Sequence, residues 1–175
     1  KFDVRCIRNL IKKAIILAGG SGSRLSPITI PISKQLLPIY DKPMIYYPIC
    51  TLMQAGIREM LIISNEVDQD SFKRLLGNGD RFGISIKFAI QEKPKGIADA
   101  FNIAQSFLDG APVALVLGDN LLHGNELITY LSNANRREKG ATIFAYPVND
   151  PNRYGIVEFS KNNNCLLYTS DAADD

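Results

Sequence analysis

The sequence predicts an α/β protein of three layers, a mostly parallel, Rossmann-like sheet with helices on both faces. Three observations carry this. Short apolar runs of strand length alternate along the chain with amphipathic stretches of helical period. Two of those runs end abruptly in glycine, at Gly19-Gly20 and at Gly118. Strand-helix-strand connections favour parallel neighbours, which puts both glycine breaks on the carboxyl rim of the sheet, where ligands bind in such folds.

Residues 13–18, KAIILA, form the first apolar run and read as a buried strand. Asp41-Lys42-Pro43 reads as a helix start, with Asp41 near the N-cap and Pro43 in the first turn. Ile45, Ile49, Leu52 and Met53 then share one helical face and Gly56 ends it, while Pro48 is expected to distort the helix locally. Residues 60–64 are a second buried strand, residues 68–76 an amphipathic helix, and Gly77-Asn78-Gly79-Asp80 a turn. Ile84, Ile86, Phe88 and Ile90 alternate, which predicts a strand with one wetter face. Ile97, Phe101, Ala104 and Leu108 recur at helical spacing. Residues 113–117 are a third buried strand, 127–134 a helix, 141–148 a further strand and 154–159 strand-like. Residues 1–11 have no clear place in this pattern, and residues 161–175 lose all period. The expected organisation is one domain over 12–160, an unassigned extension over 1–11 and a non-native or disordered tail over 161–175.

Composition narrows the function classes. A chain of 175 residues with 46% hydrophobic and 22% charged residues has ample material for one core. A net charge of +2, with no basic run beyond Lys12-Lys13 and Arg136-Arg137, argues against a nucleic-acid polymer or a membrane surface as partner. No apolar run approaches the ~18 residues of a membrane helix, and no secretory signal is evident. Cys6, Cys50 and Cys165 are odd in number and widely spaced, so each reads as a small hydrophobe in a reducing, cytoplasmic setting. His123 is the only histidine and reads as a polar loop or helix-start residue, which leaves Ser-His-Asp and Cys-His mechanisms without support.

Gly19, Gly20 and Gly22 allow positive φ and let the backbone approach a ligand with no Cβ in the way. Successive N–H groups in such a loop form a nest for phosphate oxygens. The loop lacks the Lys-Ser/Thr of a Walker A motif, and Leu25 stands where a dinucleotide fingerprint has its third glycine. Arg24 adds a planar fork of donors suited to phosphate, and Lys34 a second positive charge. Alone, the loop is matched equally well by a tight turn beside a surface arginine. Asp119, after the 113–117 run, puts a hard carboxylate on the same rim and can hold Mg²⁺ together with substrate phosphates. Alone, Gly118-Asp119-Asn120 is a common turn; beside a phosphate loop the metal reading prevails. Gln91, whose amide both donates and accepts, suits a base edge, and Gly96 lets a base approach the backbone. A plain Pro-Gly loop is the alternative there.

Residues 17–25, LAGGSGSRL, followed by residues 33–38, SKQLLP, resemble the sugar nucleotidyltransferase signature. Residues 39–48, IYDKPMIYYP, with Gly56-Ile57-Arg58, Ile62-Ile63-Ser64, Leu75-Leu76-Gly77, residues 115–120, LVLGDN, and residues 150–159, DPNRYGIVEF, are similar to the glucose-1-phosphate thymidylyltransferases in particular. The resemblance spans roughly residues 12–160 and implies that family's fold and chemistry: transfer of a thymidylyl group from dTTP to glucose 1-phosphate with Mg²⁺, giving dTDP-glucose and pyrophosphate. It implies that Leu17, Gly19, Gly20, Ser21, Gly22, Ser23 and Arg24 surround the triphosphate, and that Arg24 and Lys34 carry the catalytic charge. It further implies that Gln35 faces the nucleotide sugar, that Gln91 and the Gly96 backbone read thymine, that Asp119 holds Mg²⁺, and that Asn120 and Gly155 lie near the sugar. A homo-oligomer is implied for the full-length enzyme. Ser26 stands where an aromatic residue is common and Lys93 where an acidic one is. A later lysine, a sugar-binding glutamate and a second Mg²⁺ aspartate have no match in 161–175, so impaired turnover is expected of this chain by itself. The rival readings are a uridylyl- or other nucleotidylyltransferase of the same fold and a non-catalytic nucleotide-binding module.

Overall fold

The apolar runs pair edge to edge because each carries too little polar side-chain surface to face water on both sides. The computed structural model describes residues 11–20, 22–93, 95–150, 155–160 and 165–168. In chain order the elements are β1 (Lys13–Ala18), β2 (Pro38–Ile39), β3 (Lys42–Pro43), α1 (Tyr46–Gln54), β4 (Glu59–Ser64), α2 (Glu66–Leu76) and β5 (Ser85–Ile90). Then follow α3 (Asp99–Ile103), α4 (Gln105–Leu108), β6 (Val113–Leu117), α5 (Leu127–Asn135), β7 (Val157–Phe159) and β8 (Cys165–Tyr168). The chain divides into two compact units, Lys1–Lys139 and Gly140–Asp175, where the sequence suggests one domain over 12–160.

The first unit holds a four-stranded parallel sheet in the order β5-β4-β1-β6. Alternation along β1 sends Ala14, Ile16 and Ala18 into a cluster with Ile45, Ile49, Leu52, Phe72 and Leu76 from α1, α2 and the residue before α1. Ile15 points the other way and joins Leu61 and Ile63 of β4 with Ala100 and Ala104 of the α3–α4 segment. Helices therefore cover both faces, and the three-layer expectation holds. Lys13 adds a polar tie: its Nζ donates to the carbonyls of Phe107 at 2.7 Å and Leu108 at 3.2 Å, which α4 leaves open at its C-terminal end.

Several local expectations change. Asp41 does not cap a helix. Residues 38–43 form the small antiparallel hairpin β2–β3 around Tyr40, and α1 starts at Tyr46 with no side-chain cap. Pro48 is the third helical residue, where its missing N–H is one the helix leaves unpaired anyway, so it is buried without breaking the ladder. The expected helix start at residue 68 moves back to Glu66, because the Asn65 side chain accepts from the Asp68 N–H at 2.8 Å and caps α2. The periodic stretch 97–108 splits at Ala104, and Phe101 faces solvent while the small Ala100 and Ala104 pack on the sheet. β6 is half-buried rather than buried, since among the described residues it pairs only with β1 and forms an edge of the sheet. Residues 141–148 are described but form no strand: the run is mostly exposed and, among the described residues, joins no strand ladder, without which an extended segment is not a strand. Cys50 is an exposed free thiol on α1 rather than a core residue; Cys165 is also exposed, and Cys6 lies outside the described residues.

The second unit contains an antiparallel pair, β7 and β8, with Val157 opposite Tyr168 and an irregularity between Glu158 and Phe159. β8 lies in the stretch where the sequence shows no period. Residues 151–154, which include part of the strand-like 154–159 segment, lie outside the described residues.

Candidate functional site

Strand order locates the site. From β1 the chain adds β4 and then β5 on one side and crosses over to place β6 on the other. The order reverses between β1 and β6, and in open α/β sheets the crevice beyond the carboxyl ends at such a reversal is where ligands bind. The glycine loop leaves β1 there, and Gly118-Asp119-Asn120 leaves β6 beside it. The Gly118 N–H donates to the Leu17 carbonyl at 2.8 Å and carries the pairing to the lip of the crevice.

The loop folds back on residues 29–34. Gly22 has φ 62°, a left-handed conformation that side chains rarely adopt, and a Cβ there would lie 2.9 Å from Thr29 Cγ2 and 3.2 Å from Lys34 Cβ. Thr29 Oγ1 donates to the Gly22 carbonyl at 2.8 Å and holds the fold-back closed. Glycine is thus required at residue 22 by sterics inside the loop, and its effect is to bring Lys34 against the glycine loop. Arg24 and Ser23 sit exposed in a single 3₁₀ turn just beyond, and among the described residues the Arg24 guanidinium has no hydrogen-bond or ion-pair partner. Gly20 is open, with nothing within 4 Å of where a Cβ would be. Ser21 lies outside the described residues.

Lys34 and Asp119, predicted separately from two segments of the same rim, meet: Lys34 Nζ lies 2.5 Å from Asp119 Oδ2, each side chain 29% exposed. A carboxylate and an ammonium are therefore focused on one point of the crevice, partly screened from water. Asn120 turns back, its Oδ1 accepting from the Leu117 N–H at 3.3 Å, so its amide closes the turn after β6. Gln35 differs from the expectation that it faces a sugar. It is 4% exposed, its Oε1 accepts from Ser33 Oγ at 2.5 Å, and its carbonyl accepts from the Ile45 N–H at 2.9 Å. It lies beneath Gly118, its amide oxygen held by Ser33, so its side chain is buried at the floor of the crevice.

Gln91 follows β5 on the same rim, its N–H donating to the Ser64 carbonyl at 2.8 Å. Its side chain is 8% exposed, Nε2 donates to Asp99 Oδ2 at 3.1 Å, and Oε1 lies 3.1 Å from where a Gly19 Cβ would be. Gly19 thus makes the room in which the Gln91 amide reaches the β1 loop. Gly96 has φ 80°, and nothing lies within 4 Å of its Cβ position, so the backbone there is open to a ligand. Leu17 is half-buried at the end of β1. Gly155 is exposed in the second unit, ahead of β7. His123 is exposed in the loop before α5, in a shallow recess with Glu126 and Tyr130. Sequence reasoning missed Thr29, Ser33, Asn65 and Asp99. Asn65 and Asp99 each stand at a helix start, where Asn and Asp are the expected residue types, and that signal could have found them.

Comparison with known proteins agrees with this geometry. The family model described as Nucleotidyl transferase matches residues 13–167. A glucose-1-phosphate thymidylyltransferase of Xanthomonas campestris pv. campestris is 55% identical over 86% of this chain, and one of Neisseria meningitidis serogroup A is 56% identical over the same share. This chain covers 51% and 52% of those two proteins, so it spans about half the length of the curated relatives it matches. A solved structure from Bacillus anthracis, described as a glucose-1-phosphate thymidylyltransferase in complex with a sucrose, superposes with a TM-score of 0.84 at 32% identity, covering 92% of this chain and 65% of that one. A UTP-bound UGPase from Acinetobacter baumannii, at 22% identity and TM-score 0.74, shares the fold, with 92% of this chain and 68% of that one covered. The match runs from the first residue of β1 into β8 and takes in the glycine loop, the Lys34–Asp119 pair and Gln91: this chain belongs to the nucleotidyl transferase family.

Proposed function

We propose that this chain carries the nucleotide site of a glucose-1-phosphate thymidylyltransferase, which joins dTTP and glucose 1-phosphate into dTDP-glucose and pyrophosphate. The observation that carries the proposal is the meeting of the glycine loop, the Lys34–Asp119 pair and the Gln91 amide on one rim at the strand-order reversal. The relatives' names supply the nucleotide and the sugar.

The chemistry needs no protein nucleophile. A phosphate oxygen of glucose 1-phosphate attacks the α-phosphorus of dTTP in line, the new P–O bond forms, and the bond to the β-phosphate breaks to release pyrophosphate. The loop N–H groups orient the triphosphate, and Arg24 and Lys34 neutralise the charge that gathers on the departing oxygens. Among the described residues there is no cluster of three His, Cys, Asp or Glu that could hold a metal unaided. Asp119 alone, already turned toward a cation, fits the arrangement in which Mg²⁺ is shared between one carboxylate and substrate phosphates. Bound there, Mg²⁺ would screen the triphosphate charge. In that state Lys34 exchanges its carboxylate partner for phosphate oxygens. Among the described residues no helix is long and apolar enough to cross a membrane.

Titration calorimetry with Mg·dTTP tests the site. Arg24 is exposed, so Arg24→Ala leaves the unfolding free energy within about 0.5 kcal/mol of the parent. Loss of its charge-assisted bonds lowers dTTP affinity by roughly 10-fold or more. Equal affinity for mutant and parent refutes the loop assignment. Tighter binding of UTP or GTP than of dTTP replaces the thymidylyl reading with another nucleotidylyl transfer on the same fold.

A further inference from the structure

Asp99 stands outside every motif that pointed to the site, yet it touches Gln91, whose amide suits a base edge. A primary amide can be turned either way, and its two ends ask opposite things of a ligand. With the oxygen outward it accepts; with the nitrogen outward it donates. An ionised carboxylate only accepts. Asp99 Oδ2, 3.1 Å from Gln91 Nε2, therefore tolerates one end of the amide and not the other, and the carboxamide oxygen is left beside Gly19. Gln91 is 8% exposed, so a reversed amide would bury its oxygen against the Asp99 carboxylate, with two acceptors facing each other.

We propose that Asp99 is the positioning residue that locks the Gln91 amide with its oxygen toward the nucleotide, and so sets base selectivity. This rests on the reading that a pyrimidine nucleotide binds beside Gln91. An outward acceptor pairs with the imide N–H of thymine or uracil. It opposes the ring N3 of cytosine, which is itself an acceptor at the equivalent position. Selectivity for an imide-bearing pyrimidine is thus held one residue behind the group that meets the base.

Asp99→Asn tests this at nearly constant shape. An asparagine at residue 99 accepts or donates, so the Gln91 amide is free to turn. Calorimetry is run with dTTP, dCTP and inorganic tripolyphosphate, each with Mg²⁺, on the parent, Asp99→Asn, Asp99→Ala and Gln91→Ala. The expected result is a parent that prefers dTTP to dCTP, and a preference that falls by about tenfold in Asp99→Asn. Tripolyphosphate affinity stays at the parent value in that variant, which a general loss of structure would not allow. Asp99→Ala, which leaves the amide nitrogen without its partner, lowers the preference as well. If Gln91→Ala loses the preference while both Asp99 variants keep it, the base reading stands and the positioning role is overturned. If the parent binds dTTP and dCTP equally, the base reading fails and takes the role of Asp99 with it.

Discussion

Gly118→Ala puts the geometry of the crevice under a calibrated load. A Cβ at residue 118 would lie 2.9 Å from Gln35 Cγ, 3.2 Å from Ala18 Cβ and 3.3 Å from Ile45 Cδ1. Ordinary contact begins at 3.4 Å, so the Gln35 stem has to give by about 0.5 Å. It has little freedom to do so, since its side chain is tied to Ser33 and its carbonyl to Ile45. Overpacking of this kind costs about 1–3 kcal/mol. Against it stands the usual gain of about 0.4–1 kcal/mol when alanine replaces glycine in a conformation it can adopt. Gly118 has no positive φ, so that gain applies, and the net loss is roughly 0–2.6 kcal/mol, about 1–3 kcal/mol below Gly20→Ala. Gly20→Ala is the control: it shares the backbone gain and meets nothing within 4 Å, so it is neutral to slightly stabilising. Urea unfolding of the three proteins reads the difference directly. Because Gln35 is next in sequence to Lys34, the same shift should also weaken Mg·dTTP binding. A Gly118→Ala protein as stable as Gly20→Ala would refute the packing argument.

Two further outcomes follow from the same coordinates. Asp119→Asn should abolish the dependence of dTTP binding on Mg²⁺ concentration, while stability changes by less than about 1 kcal/mol because the Lys34 pair is partly exposed; an unchanged Mg²⁺ titration would return Asp119 to the role of a turn residue. Asn65→Ala should lower stability by about 0.5–2 kcal/mol through loss of the α2 cap. An unfolding midpoint equal to the parent's would mean that water or a neighbour caps the helix instead.

The sequence by itself determined the parallel three-layer class and the rim on which the candidate site residues gather. Both follow from local facts: the strand period of 13–18 and 60–64, the helical period of 45–53, and glycines where the strands end. It also picked out Arg24, Lys34, Gln91 and Asp119, because glycine loops and strand-end carboxylates are chemically conspicuous. Tertiary structure decided what those residues do to one another. Lys34 and Asp119 are far apart in the chain, and only the crossover that sets β6 beside β1 makes them a pair. Gln35 resembles a ligand residue in its motif, and the close approach of Gly118, which no sequence spacing shows, is what buries its side chain at the floor of the crevice. The strand expected over 141–148 failed for the converse reason: a mostly apolar run supplies a surface for pairing, but a ladder needs a second chain segment, and which segments become neighbours is a property of the whole fold.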